Sequence, residues 1–295
     1  MGKYEIEGLE DKTKNLDAIL NNCKLCPREC CVSRNKGETG YCNSTKDMMV
    51  SGVQPHFGEE DVLVGYHGSG TVFLTNCNLG CVYCQNYDIS HLGHGQLMTE
   101  TELAHSMITL QTRGCHNINF VTPTHYTPQI VKSLMIAAEE GLHIPIVYNC
   151  SGYESRSTIE LLDGIVDIYM PDMKYSDAAT ASRYSNAPDY FDRCKEAVKE
   201  MHRQVGDLKL DGRGIAVKGL LIRHLVLPNG LAGSASVLKF IAAEISKDTY
   251  VNIMAQYRPM YRAYEYEELN RVLKMSEYRE VIAIARKYGL HRGFV

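Results

Sequence analysis

The chain has 295 residues, 31 basic and 35 acidic, and a formal net charge of −4. With no long block of either sign, it carries no electrostatic footprint for nucleic acid or an acidic membrane surface. Eleven cysteines, with no apolar signal region at the N-terminus and no run long enough to span a bilayer, read as metal ligands and reduced thiols of a cytoplasmic protein, not as disulfides.

In chain order, residues 1–20 read as a polar lead with one amphipathic turn. Residues 21–45 are cysteine-rich and broken by Pro27, Gly37 and Gly40. Cys23, Cys26 and Cys30, with Cys31 adjacent and Cys42 beyond two glycines, suggest a four-thiolate site made by Cys23, Cys26, Cys30 and Cys42, with Cys31 as the spare. Structural zinc, stapling a piece too small to fold on its own core, is the favoured occupant. An auxiliary [4Fe–4S] cluster is the alternative and a set of free thiols the third reading. His56 and Glu59–Glu60 read as a linker or a cleft rim.

From about residue 70 a strand-then-helix rhythm begins. Apolar, β-branched runs at Thr71–Thr75, Ile118–Thr122, Ile144–Asn149, Asp167–Met170, Leu220–Leu227 and Tyr250–Ala255 are of the kind buried on both faces of a parallel sheet. Helical patterns fall at about 99–113, 128–141, 155–163, 178–204, 235–247 and 265–288. Thr99 and Thr101 before acidic residues look like helix starts, and Gly114 and Gly141 like helix ends. Six β/α units predict an α/β fold, a partial (β/α)6 TIM-like barrel with a cleft at the C-terminal ends of its strands. The expected division is an N-terminal extension at 1–66, the barrel at 67–264, and a C-terminal helix at 265–295 packed on it.

Directly after the first of these strands stands Thr75-Asn-Cys-Asn-Leu-Gly-Cys-Val-Tyr-Cys-Gln-Asn86. The C-x3-C-x2-C thiols Cys77, Cys81 and Cys84 suit three irons of a [4Fe–4S] cluster and leave the fourth iron free to bind a small molecule. A zinc knuckle fits poorly, because zinc sites close with four ligands in C-x2-C pairs. With Tyr83 before the last cysteine, the run resembles the signature of the radical S-adenosylmethionine (SAM) superfamily. Cys23 to Cys30, Gly37 to Cys42, His56 to Glu60, Tyr148 to Glu154 and Gln256-Tyr-Arg-Pro259 narrow the resemblance. Over about residues 20–260 the chain is similar to iron–sulfur proteins related to pyruvate formate-lyase activating enzyme.

The strand ends supply a SAM pocket under this resemblance. The second ends in Thr122-Pro-Thr-His125, where many relatives place Gly-Gly-Glu, so Thr122, Thr124 and His125 stand in for its contacts to the SAM amino group; Thr127-Pro128 also reads as a helix start. Asn149 and Ser151 suit ribose hydroxyls, whereas Cys150 reads as a small buried residue. Asp172 and Lys174 match the Asp-x-Lys element of glycyl-radical-enzyme activating proteins. Arg223, in an apolar strand, needs an anionic partner, and a SAM carboxylate would serve. His224 points to the opposite face and reads as a satisfied core histidine. Met254 and Gln256 suit an adenine pocket.

The resemblance implies an enzyme that cleaves SAM reductively to a 5′-deoxyadenosyl radical, with a reductant such as flavodoxin or ferredoxin. The radical would act on the glycine of a partner enzyme, on a small molecule or on another peptide side chain. A non-catalytic iron–sulfur protein that carries electrons or senses redox state is the competing class, and it needs no SAM pocket. A zinc hydrolase fails for want of His, Asp or Glu ligands around Cys77.

Overall fold

A computed structural model describes residues 6–294; the first five residues of the expected polar lead, and Val295, lie outside that range. Helix α1 (Ile6–Ile19) replaces the single turn expected there. Leu9, Thr13, Leu16 and Leu20 are all buried, and their spacing of four, three and four draws one stripe that packs against a barrel helix, α5 below. The cysteine-rich stretch that follows is irregular. It is held by backbone bonds such as Cys23 N–H to the Val32 carbonyl at 2.9 Å and Arg34 N–H to the Leu20 carbonyl at 2.8 Å.

Strand β1 (Met49–His56) enters next and is the main element the sequence hid. It pairs antiparallel with β2 (Ser69–Leu74), so part of the stretch expected as an extension joins the barrel sheet. Gly52 and Pro55 interrupt its apolar pattern, which an edge strand tolerates. The short α2 (Asp61–Val64) lies between them, and its Leu63 is buried against Val147, Ile168 and Leu221 inside the sheet. After the cysteine loop come α3 (Tyr87–Ser90) and β3 (Gln96–Leu97), which pairs with β1.

The parallel core then runs as expected. Helix α4 (Glu100–Thr112) opens with a Thr99–Glu102 capping box. It is followed by β4 (Ile118–Val121), α5 (Thr127–Glu139), β5 (Ile146–Cys150), α6 (Arg156–Leu161) and β6 (Ile168–Pro171). The expected helix at 178–204 is two, α7 (Ala178–Ser185) and α8 (Tyr190–Val205). Asn186 adopts left-handed φ 51°, and Pro188 two residues on prevents the first helix from continuing. Strand β7 (Lys209–Leu210) pairs antiparallel with the long β8 (Ala216–Leu225). Helix α9 (Ser234–Phe240) ends in a π turn, and β9 (Tyr250–Met254) closes the series. Only Met275–Lys287, α10, is helical in the expected 265–288 span.

Strands β2, β4, β5, β6, β8 and β9 are successive parallel neighbours, and β1 and β9 are not paired with each other. The result is the partial six-unit barrel, open on one side, with a cysteine-rich segment before it.

Candidate active site

The strand ends and the cysteine loop meet at one cleft of about 230 Å³. Cys77, Cys81 and Cys84 line it together with Thr122, Asn149, Ser151, Asp172, Lys174, Arg223, Met254 and Gln256. Eight of the ten residues expected in a SAM pocket therefore face the three expected cluster cysteines. Thr122 has a left-handed φ of 60°, a strained conformation of the sort found at ligand sites.

Two expected residues, Thr124 and His125, are elsewhere. Both are buried, Thr124 donating to Glu154 Oε1 at 2.7 Å and His125 using Nε2 on the Thr75 carbonyl at 2.7 Å. A 3-10 turn at Thr124–Tyr126 rotates them behind the cleft and makes Thr127, expected as the cap, the first residue of α5. Glu154, which the sequence did not single out as a site residue, is held there by Thr124 and Tyr148, and burial pushes its carboxyl up to about 8.

The three loop sulfurs are free thiols, each with a donor or partner of its own. Leu79 N–H reaches Cys77 Sγ at 3.4 Å, the Ser185 hydroxyl reaches Cys81 Sγ at 3.0 Å, and Cys84 Sγ lies 3.1 Å from Ser90 Oγ. Burial raises all three thiol pKa values, and the Lys174 ammonium opposes that rise at each without reversing it. Donors aimed at sulfur and a nearby cation suit thiolates that have given their protons up to a metal. On that chemistry the set fits an iron–sulfur cluster. Ser185 and Ser90 were invisible as site residues in the sequence, since they come from α7 and α3.

The chain has nineteen tyrosines and no tryptophan, and five of the tyrosines stand behind this loop. Tyr257, Tyr83, Tyr175, Tyr190 and Tyr153 form a continuous series of ring contacts with centroids 5.6–6.3 Å apart. They back the cysteine loop with large, stiff surface, and two of their hydroxyls serve backbone: Tyr190 OH meets the Ser151 and Asp172 carbonyls at 2.8 Å, and Tyr257 OH the Leu269 carbonyl at 2.8 Å.

At the strand ends, Arg223 donates from Nε to Asp172 Oδ1 and from Nη2 to Asn149 Oδ1, both at 2.8 Å, and lies 3.7 Å from Glu59. Lys174 Nζ meets Asp172 Oδ2 at 2.5 Å. Burial alone would raise the Asp172 pKa, but Arg223 and Lys174 outweigh it and hold the carboxyl below its ordinary value. The anionic partner that a buried Arg223 demands is thus supplied from within the chain. Glu59, read as linker or rim, is part of this network. His224 is the satisfied core histidine expected, bonded to the Met173 carbonyl at 2.6 Å and Ser234 Oγ at 2.8 Å, and burial lowers it to about 4.

Cys23, Cys26, Cys30 and Cys42 line a second, smaller cavity. Cys31 is exposed and does not line it.

Comparison with known proteins agrees with this geometry. The family model for the radical SAM superfamily matches residues 71–210. The uncharacterized protein MJ0674 of Methanocaldococcus jannaschii is 33% identical over 292 residues, covering 96% of this chain and 79% of that protein. A second protein of the same organism, MJ0808, also uncharacterized, is 23% identical over 272 residues, covering 84% and 74%. Among solved structures, HydG, a maturase of the [FeFe]-hydrogenase, matches with a TM-score of 0.50 at 10% identity. That match covers 74% of this chain but spans only about half, 48%, of HydG, and it shows the fold alone. The chain belongs to the radical SAM superfamily. Membership implies an enzyme with a [4Fe–4S] cluster and SAM as cofactors. No helix among the described residues is long and apolar enough to cross a membrane.

Proposed function

We propose that Cys77, Cys81 and Cys84 hold the cluster and that the cleft beside them binds SAM for reductive cleavage. The observation that carries this is the convergence of the three thiols with Asp172, Lys174 and Arg223 on one cleft. When bound, cluster and SAM together supply carbon–sulfur cleavage to methionine and a 5′-deoxyadenosyl radical, which takes a hydrogen atom from the substrate. Asn149 and Ser151 offer hydrogen bonds at the level of the ribose. Met254 and Gln256 form the far wall, suited to adenine. Arg223 acts by positioning, fixing the carboxylate of Asp172 and the amide of Asn149. Lys174 places a cation beside Cys81, where it favours thiolate. The deep, strand-walled cleft excludes water from a reactive species.

The substrate reading is a hydrogen-atom donor, either the glycine of a partner enzyme, as for an activase, or a small molecule or peptide side chain. The lack of pairing between β1 and β9 leaves the barrel unclosed on that side, which is compatible with a protein loop and favours the first. The electron comes from a reductant such as flavodoxin or ferredoxin, and the protein works in the cytoplasm. The N-terminal thiols form a second metal site of zinc or iron–sulfur type. Cys81→Ala is expected to abolish anaerobic SAM cleavage and Cys31→Ala to leave it intact. Full cleavage by Cys81→Ala would remove the cluster from this loop.

A further inference from the structure

The cavity at the N-terminal cysteines carries a charge problem. Arg34 forms part of its wall and is only 1% exposed. Its guanidinium donates to backbone carbonyls alone: Nε and Nη2 to Thr45 at 3.2 and 2.5 Å, Nη1 to His125 at 2.5 Å. Among the described residues no carboxylate pairs with it. A buried cation without a counter-ion is strongly unfavourable, so an anion belongs beside it. Glu29 lines the same cavity without an ion pair to Arg34, and the thiols beside it become a further source of negative charge once deprotonated around a metal.

His125 supplies an independent observation. Its Nε2 faces the Thr75 carbonyl at 2.7 Å, so the ring proton sits there and Nδ1 carries a lone pair. That Nδ1 is buried with no partner, and His125 is one of the residues lining the same cavity. An imidazole whose other N–H rests on a backbone carbonyl is the arrangement seen beside metals. Gly40 completes the cradle: a Cβ there would stand 2.6 Å from Cys30 Sγ, and the next N–H, of Tyr41, reaches that sulfur at 3.3 Å.

The kind of occupant follows from spacing. A single zinc ion needs its sulfurs within about 2.3 Å of one point. Among the described residues no group of three His, Cys, Asp or Glu side chains is placed to hold a single metal ion, here or at Cys77, Cys81 and Cys84 alike. A cluster, whose thiolates each bind a different corner iron, accepts a wider set. We infer that Cys23, Cys26, Cys30 and Cys42 hold a second iron–sulfur cluster, with Arg34 as its buried counter-charge and His125 joining its wall to the strand end that precedes Cys77.

This site is independent of the first, so it is tested in the full-length chain carrying Cys77→Ala, Cys81→Ala and Cys84→Ala, reconstituted anaerobically with iron and sulfide. About four irons and four sulfides per chain are expected, falling to near zero when Cys26→Ala is added and unchanged when Cys31→Ala is added instead. One zinc and no iron, or no metal at all, would overturn the inference. If the triple variant does not fold, the wild-type chain decides: about eight irons support a second cluster and about four contradict it.

Discussion

Arg223 on β8 and Asp172 at the end of β6 are joined at 2.8 Å, Nε to Oδ1, inside the barrel. The pair also draws in Lys174, Asn149 and Glu59, so a charge network nearly closed on itself forms one wall of the cleft. Arg223→Ala would leave Asp172 and Glu59 without their shared cation. A loss of roughly 3–5 kcal/mol is expected in chemical denaturation, with Arg223→Lys recovering part of it. An unchanged midpoint for Arg223→Ala would mean the network carries no stability.

The Asp172 backbone is set from the other side by Gly152. Gly152 has φ 77°, and a Cβ there would overlap the Asp172 carbonyl oxygen. Gly152→Ala is expected to displace the strand end, weaken SAM binding at least tenfold and leave iron content at Cys77, Cys81 and Cys84 unchanged. Wild-type SAM affinity in a folded Gly152→Ala protein would show that this strand end does not shape the pocket.

The Ser185 hydroxyl donates to Cys81 Sγ at 3.0 Å. Hydrogen bonds to cluster sulfurs raise reduction potentials by stabilising the more negative, reduced state. Ser185→Ala should lower the midpoint potential in an EPR-monitored titration. A differential of about 1 kcal/mol corresponds to roughly 40 mV for one electron. A potential that stays put would remove Ser185 from the sulfur's environment.

Acid should weaken the fold through His224. Its folded pKa is depressed to about 4 by burial, against about 6.5 when unfolded. Stability from this group is present above pH 6.5 and is lost as pH falls through the window down to about 4, because the unfolded chain then binds the extra proton. The slope is about 1.4 kcal/mol per pH unit. His224→Asn should be less stable at pH 7 yet show a shallower decline in acid; an equal slope in both proteins would refute the assignment.

Much of the barrel was legible because its signals are local. Six apolar runs became six parallel strands, and C-x3-C-x2-C marked the loop after the first of them. What stayed hidden depends on tertiary contact. Strand β1 has no alternation to read, since Gly52 and Pro55 interrupt it, and it exists because β2 offers an edge. Thr124 and His125 lie within three residues of Thr122, yet one 3-10 turn carries them out of the cleft. Ser185, Glu59 and Arg34 meet their partners across 104, 164 and 91 residues, a separation no motif encodes. Five of the nineteen tyrosines acquire a role only through tertiary contact, as rings in series behind the loop.

The central claim is that this cleft cleaves SAM, and the most direct test is an anaerobic assay of 5′-deoxyadenosine. Iron- and sulfide-reconstituted protein is mixed with dithionite and SAM, alongside Cys81→Ala. The account predicts 5′-deoxyadenosine from the wild-type chain and none from the variant. A fully loaded, reducible cluster that neither binds SAM nor yields 5′-deoxyadenosine would contradict it and favour an electron carrier.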